Sequence, residues 1–158
     1  MTLAIKPAPV KKTLTVAVTP QRAFEVFTAG FDRWWPRTHS IGDSPLKTAV
    51  IEGRAGGRWY GLLENGVEAE WGDVLAWEPP TRLVLAWRIG ADWTYDPELL
   101  TEVDVRFTPE GEGTRVDFEH RHLERMGEGG EGARASFDSE GGWGGLLAMF
   151  AAEAVKTA

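Results

Sequence analysis

The sequence lacks cysteine, a long apolar run and any concentrated basic segment. Without cysteine, neither a disulfide framework nor a thiolate nucleophile is available. Without a stretch of about 20 apolar residues, no membrane span is predicted. The net charge is −7, with 17 basic residues scattered among 24 acidic ones, so the cationic face that DNA or RNA binding needs is not expected. No serine lies in a G-x-S-x-G elbow, which leaves nucleophilic catalysis without support.

The N-terminus carries two prolines and several lysines but no apolar segment, so it does not match a signal peptide. Residues 1–11 are therefore predicted to be a flexible arm. Residues 12–158 suit one domain, since no linker or internal repeat interrupts them. Together with the absence of cysteine, these features predict a cytoplasmic protein.

The first part of the domain predicts a strand followed by two short helices. Residues 12–18 alternate with period two and are rich in β-branched side chains, which is typical of a strand. Thr19 followed by Pro20 is a helix start, and apolar residues then recur at helical spacing as far as Phe31. A second helical turn is expected over residues 31–35, ended by Pro36.

The middle of the chain predicts antiparallel strands joined by turns. Asn65-Gly66 between two alternating runs is a strong hairpin signal. A second hairpin is expected around residues 109–113. Pairing Val105 with Phe118 there would bring Asp104 opposite Glu119, so charge supports this register only weakly. The predicted strands are residues 46–52, 58–64, 67–77, 82–89, 100–107 and 114–122.

The C-terminal part predicts one long helix over residues 133–155, preceded by a flexible hinge at 127–132. Four glycines surround Trp143 inside this helix, and each costs about 1 kcal/mol relative to alanine. Small residues beside a large aromatic leave space rather than fill it. We therefore expect an apolar pocket between the sheet and this helix.

Several short motifs resemble the family of activator of heat shock protein 90 ATPase homologues, within the START-like or SRPBCC superfamily. The resemblance extends over residues 12–155 and implies the α+β helix-grip fold. This is a curved antiparallel sheet of six or seven strands around a long C-terminal helix, with two short helices after the first strand. The family name implies a chaperone as one partner, and relatives of this fold often dimerise, so a homodimer is one state it allows. The motifs are residues 18–20, 23–24, 34–35, 56–59, 72–75, 79–83, 87, 119–120, 142–143 and 146–147.

The predicted function is the binding of a small, mostly apolar molecule in that pocket, with His120 and either Arg58 or Tyr60 orienting it. No cofactor, metal or catalytic residue is predicted. The predicted pocket residues are Phe24, Phe27, Trp59, Trp87, Val105, Phe118, His120, Trp143, Leu147 and Phe150.

Two alternatives remain open at this stage. The first is a co-chaperone that acts through the outer face of the sheet. The second is a cyclase or hydrolase in the same pocket, with His120 paired to Glu140 or Asp73 for acid–base work. Shared parity with Leu75 and Trp77 would direct Asp73 inward unless Gly72 introduces a bulge, and a surface carboxylate is the more common case.

His120 and His122 also form a His-x-His pair on one face of a predicted strand. Such a pair binds zinc only with a third ligand, and none is identified. Trp34 and Trp35 diverge by about 100° on a helix, so one of them is expected at the pocket entrance or on the surface, without a choice between them. Trp93 and Tyr95 are predicted to lie at the rim.

Overall fold

The alternating segments form a seven-stranded antiparallel sheet in a computed structural model that describes residues 8–156. The strand order is β1-β7-β6-β5-β4-β3-β2, and the curled sheet wraps around the last helices. The predicted helix-grip fold is confirmed. None of the helices between residues 8 and 156 has the length and apolar character that crossing a membrane requires. The elements are β1 (Val10–Val16), α1 (Pro20–Thr28), α2 (Phe31–Trp34), β2 (Leu46–Ile51), β3 (Arg58–Leu63), β4 (Glu68–Glu78), β5 (Arg82–Trp87), β6 (Thr101–Glu110), β7 (Gly113–Arg121), a 3-10 helix (Leu123–Gly129), α3 (Gly130–Asp138) and α4 (Trp143–Lys156).

β1 begins two residues before the predicted domain boundary. Val10 already pairs with His120 of β7, and Lys11 pairs with Glu119. Residues 1–7 of the predicted arm lie outside the described residues.

Helix α1 begins as predicted. The side chain of Thr19 accepts a hydrogen bond from the backbone N–H of Arg22 at 3.2 Å, and Pro20 occupies the first helical position. Phe24 and Phe27 then lie on the buried face of the helix. This cap and this apolar stripe direct α1 into the concave side of the sheet.

The predicted register of the β6–β7 hairpin is confirmed, because Val105 lies opposite Phe118 and Asp104 opposite Glu119. Two arginines offset the repulsion between these two carboxylates. Arg82 and Arg121 each place a guanidinium nitrogen 2.8 Å from Asp104. A buried carboxylate is tolerated when paired in this way.

Asp73 does not face the core, the direction that its parity with Leu75 and Trp77 had left open. The register shifts between Val74 and Ala76, so β4 carries an irregularity at Leu75. Val74 is consequently 1% exposed and Leu75 38% exposed. Asp73 accepts a hydrogen bond from Arg88 at 2.6 Å instead of entering the core. A single extra residue in one strand reverses the alternation on which the prediction depended.

The predicted long C-terminal helix is broken in two. α3 ends at Asp138, Ser139 is extended, and α4 begins at Trp143. The predicted hinge at 127–132 instead belongs to the 3-10 helix and to the first turn of α3. The backbone is tightly packed at the break, because a Cβ atom at Gly142 would collide with the carbonyl oxygens of Ser136 and Phe137.

The space between the middle of the sheet and α4 is filled by aromatic rings. The ring centroids of Phe27 and Phe150 lie 5.2 Å apart in an edge-to-face contact. Those of Phe118 and Trp143 lie 4.6 Å apart. Such pairs add about 0.5–1.5 kcal/mol each beyond simple burial. The centre of the fold is therefore a packed core.

Gly142→Ala is expected to lower the free energy of unfolding by about 1–3 kcal/mol, because the new methyl group must displace backbone at the α3–α4 break. Gly141→Ala is the matched control, since a Cβ atom there meets nothing within 4 Å. Its effect should stay within about 0.5 kcal/mol. Urea unfolding of the two variants measures the difference, and equal effects would contradict this account of the break.

Candidate functional site

A cavity of about 390 Å³ lies beside the break between α3 and α4. Aromatic rings make up much of its wall, and its polar groups are hydroxyls and one imidazole. Within residues 8–156, no Asp, Glu, Lys or Arg side chain lines it. The lining residues are Trp35, Thr38, His39, Ser40, Ile41, Trp71, Trp87, Ile89, Trp93, Ser136, Phe137, Ser139, Gly141, Gly142, Trp143 and Leu146.

The cavity contains two of the ten predicted pocket residues, Trp87 and Trp143. The structure places the other eight in the core behind it, because edge-to-face packing fills the space that the prediction left open. These eight residues are Phe24, Phe27, Trp59, Val105, Phe118, His120, Leu147 and Phe150. Phe24 also lines a second groove, beside α1.

Arg58 and Tyr60, the residues predicted to orient a ligand beside His120, do not line the cavity. Arg58 binds Glu68 and Glu70, and its guanidinium lies 4.0 Å from the centre of the Tyr60 ring. Both residues are thus engaged in a charged cluster on β3 and β4.

One of Trp34 and Trp35 was expected at the pocket entrance or on the surface. Both are buried, at 4% and 5% exposure, and it is Trp35 that lines the cavity. Helix α2 ends at Trp34, and Trp35 has an extended backbone with φ −74° and ψ 123°. The helical angle between adjacent residues therefore does not apply. Trp34 donates its indole N–H to the carbonyl of Val26 at 3.0 Å. Trp35 donates its indole N–H to the backbone carbonyl of His39 at 2.7 Å and lines the cavity.

His120 lies behind the cavity wall in a continuous chain of hydrogen bonds. The indole N–H of Trp143 donates to His120 Nδ1 at 3.1 Å. An indole nitrogen can only donate, so Nδ1 accepts and the proton of the neutral ring is on Nε2. This Nε2–H donates to the hydroxyl of Thr101 at 2.9 Å, which in turn donates to the carbonyl of Trp87 at 2.8 Å. His120 thereby links the indole of Trp143 to the backbone of Trp87, and both of these residues line the cavity.

This series of hydrogen bonds leaves the imidazole of His120 without a free lone pair for catalysis or metal binding. Full burial lowers the pKa of His120 from 6.5 to about 3, so the ring is neutral at physiological pH. Asp73 is occupied by Arg88, and neither it nor Glu140 bonds to His120. Among residues 8–156, no three His, Asp or Glu side chains form a metal-binding group.

The predicted partner of His120 in the His-x-His pair does not share its face. β7 ends at Arg121, and His122 adopts a left-handed backbone with φ +68°. Its imidazole lies 3.8 Å from Glu102 and from Glu124.

Sequence reasoning missed His39, which lies at the cavity edge in the loop after α2. Its Nε2 lies 2.8 Å from the carbonyl oxygen of Gly141 and must donate, since a carbonyl only accepts. In the neutral ring, Nδ1 then accepts from the hydroxyl of Thr38 at 3.0 Å. His39 therefore ties this loop to the helix break. No local pattern marks it, because the two segments are about 100 residues apart in the chain.

Trp71 was missed for a related reason. It lies on β4 among alternating residues, and its ring packs against Gly61 of the neighbouring strand. A Cβ atom at Gly61 would come 2.8 Å from Cζ2 of this indole. The glycine provides the space, but only the pairing of β3 with β4 brings the two residues together.

These features define a helix-grip protein with an aromatic cavity at the break in its last helix. The model of the Activator of Hsp90 ATPase homolog 1-like protein family matches residues 17–154, and the chain belongs to this family. A comparison with curated proteins gave no match.

Solved structures give a similar result. The anthrahydroquino-γ-pyrone synthase Txn09 is 36% identical, with a TM-score of 0.65 over 93% of this chain and 96% of its own. The self-sacrificing resistance protein CalC from Micromonospora echinospora is 32% identical, with a TM-score of 0.71 over 96% of each chain. Protein NE0264 from Nitrosomonas europaea shares the fold at 14% identity, with a TM-score of 0.68 over 95% and 96% of the two chains.

The pH dependence of stability tests the state of His120. Because its folded pKa is lowered, the unfolded chain binds one more proton between about pH 6.5 and pH 3. The free energy of unfolding should therefore fall by up to about 1.4 kcal/mol for each pH unit as the pH is lowered through this window. Above pH 7, His120 should add nothing to the slope of this free energy against pH. Replacement His120→Gln should remove it.

Urea unfolding at pH 8, 6 and 5 measures this slope. The free energy of unfolding should depend on pH in the same way for the wild-type protein and His120→Gln above pH 7. Below pH 6 the two dependences should differ. Equal slopes between pH 6 and pH 5 would mean that His120 takes up a proton in the folded protein.

Proposed function

We propose that this protein binds a neutral, planar and mostly apolar small molecule in the aromatic cavity. The observation that carries the proposal is the lining itself, in which six aromatic rings surround an opening without charged side chains. Indole faces favour stacking with flat rings, and an uncharged wall disfavours an ionised ligand. The rings belong to Trp35, Trp71, Trp87, Trp93, Phe137 and Trp143.

The size of the cavity supports a ligand of about three fused rings. Its volume of about 390 Å³ is within the usual range for small-molecule sites. Burying roughly 250 Å² of ligand surface contributes about 6 kcal/mol, and each stacked pair adds about 0.5–1.5 kcal/mol. After the cost of association, a dissociation constant of about 1–100 μM is expected.

The comparison with Txn09 favours the same ligand class. The product in its name is a polycyclic aromatic molecule. The two chains are 36% identical, and the match covers nearly the whole of both. The same comparison makes a synthase activity in this cavity the second candidate function. The cavity wall supplies groups for such chemistry, namely the imidazole of His39 and the hydroxyls of Ser136 and Ser139 at the end of α3. Turnover of an aromatic substrate that is lost in His39→Gln while binding remains would favour the enzyme over a carrier.

The family name also raises chaperone stimulation as a role. Its support is the family relationship alone, whereas the cavity supports ligand binding. Stimulation of a chaperone ATPase by the wild-type chain and by a cavity-blocked variant alike would favour the interaction role.

The proposal predicts that 1,8-dihydroxyanthraquinone, a neutral three-ring probe, quenches tryptophan fluorescence with a micromolar dissociation constant. Ser136→Phe should weaken this binding at least about tenfold, because the new ring occupies the cavity. Gln21→Phe is the matched control, since it adds the same ring in the second groove, beside α1. Its affinity should equal that of wild type.

Isothermal calorimetry checks the fluorescence result without depending on quenching. Absence of binding to the wild-type chain, or equal weakening by both phenylalanine variants, would contradict the proposed site.

A further inference from the structure

Two residues other than glycine have a left-handed backbone within residues 8–156, Trp93 at φ +62° and His122 at φ +68°. This conformation is unfavourable for a bulky side chain. Trp93 carries a second cost, because its side chain is large and apolar and the residue is 50% exposed. Two unfavourable features at one residue call for a role outside the stability of the fold.

The loop around Trp93 is held in place by its own hydrogen bonds. The backbone N–H of Gly90 donates to Thr94 at 2.9 Å, and that of Trp93 donates to Gly90 at 2.9 Å. One carboxylate oxygen of Asp92 accepts from the backbone N–H and the hydroxyl of Thr94, at 3.2 and 2.7 Å. A bridge between Ile89 and Tyr95 closes the base of the loop. The left-handed backbone of Trp93 is therefore built into an ordered turn.

This turn presents the Trp93 indole at the edge of the cavity. The ring meets Phe137 of α3 edge to face, with centroids 5.9 Å apart and an interplanar angle of 88°. Tyr95, predicted to share the rim, does not line the cavity. Ala91, two residues before Trp93, packs so closely on Gly129 that a Cβ atom at Gly129 would collide with it. The loop thus stands against the segment that leads into α3.

We propose that Trp93 is a specificity-determining residue of the cavity, whose exposed indole covers the outer end of a bound planar ligand. The inference rests on the proposed function and adds a length requirement to it. A ligand of several fused rings can lie against the inner indoles of Trp71 and Trp87 and still extend to Trp93. A single-ring ligand is too short for both contacts, so it gains nothing from Trp93.

The variant Trp93→Gly separates this role from a structural one, because glycine adopts the left-handed backbone without strain. We expect a melting temperature within about 5 °C of wild type, because relief of the left-handed backbone offsets the lost contact with Phe137. The dissociation constant for 1,8-dihydroxyanthraquinone should be about 10–100 times higher. The affinity for phenol, the single-ring probe, should change less than about twofold, within the effect of a surface substitution. Trp93→Phe, which keeps a flat ring, should retain most of the affinity for the three-ring probe.

His122→Gly is the matched control, since it relieves the same backbone conformation at a residue that does not line the cavity. Its affinity for both probes should equal that of wild type. Calorimetry and thermal unfolding of the free proteins supply both measurements.

An unchanged affinity of Trp93→Gly for the three-ring probe overturns this inference and leaves the proposed function intact. A melting temperature more than about 5 °C below that of wild type together with weaker binding also overturns it, since the indole would then support the loop rather than the ligand. Failure of the wild-type chain to bind the three-ring probe refutes the proposed function, and this inference with it.

Discussion

The close approach of Gly142 to the carbonyl groups of Ser136 and Phe137 is the constraint on which the site depends. A side chain at this position would have to displace these carbonyl groups, so the observed packing at the turn between α3 and α4 requires glycine there. The change of direction places Phe137 and Trp143 on two sides of one opening. The cavity is therefore a consequence of backbone packing, rather than of small side chains along a continuous helix.

A buried polar chain supports the wall formed in this way. Trp143, His120, Thr101 and the carbonyl of Trp87 satisfy one another in a core that is otherwise almost wholly apolar. An unpaired polar group in the core destabilises the fold more than a paired one stabilises it. A complete series of hydrogen bonds therefore holds each of these side chains in a single orientation. His120, which the enzyme alternative used for acid–base work, instead accepts the hydrogen bond that orients the Trp143 indole at the cavity.

The elements that follow from local pattern were predicted well. A strand was predicted at each of the seven positions where the structure has one, from alternation and from turn signals. Asn65-Gly66 marked its hairpin, and Val105 pairs with Phe118 as expected. Predictions that required unbroken periodicity failed. The irregularity at Leu75 reversed the face of Asp73, and the end of α2 at Trp34 allowed both adjacent tryptophans to be buried. Of the ten predicted pocket residues, only Trp87 and Trp143 line the cavity, because the remaining rings pack against one another.

The sequence by itself determined the positions of the strands, the two hairpins and the inward direction of His120, because these depend on side-chain periodicity and turn chemistry between near neighbours. Its short motifs, through their resemblance to a known family, also implied the helix-grip architecture. Only the tertiary structure decided where the opening lies and what surrounds it. His39 and Gly141 meet across about 100 residues, and Trp71 finds its space beside Gly61 of another strand. An opening is the volume that packing leaves unfilled, and that volume depends on the positions of all the surrounding elements at once.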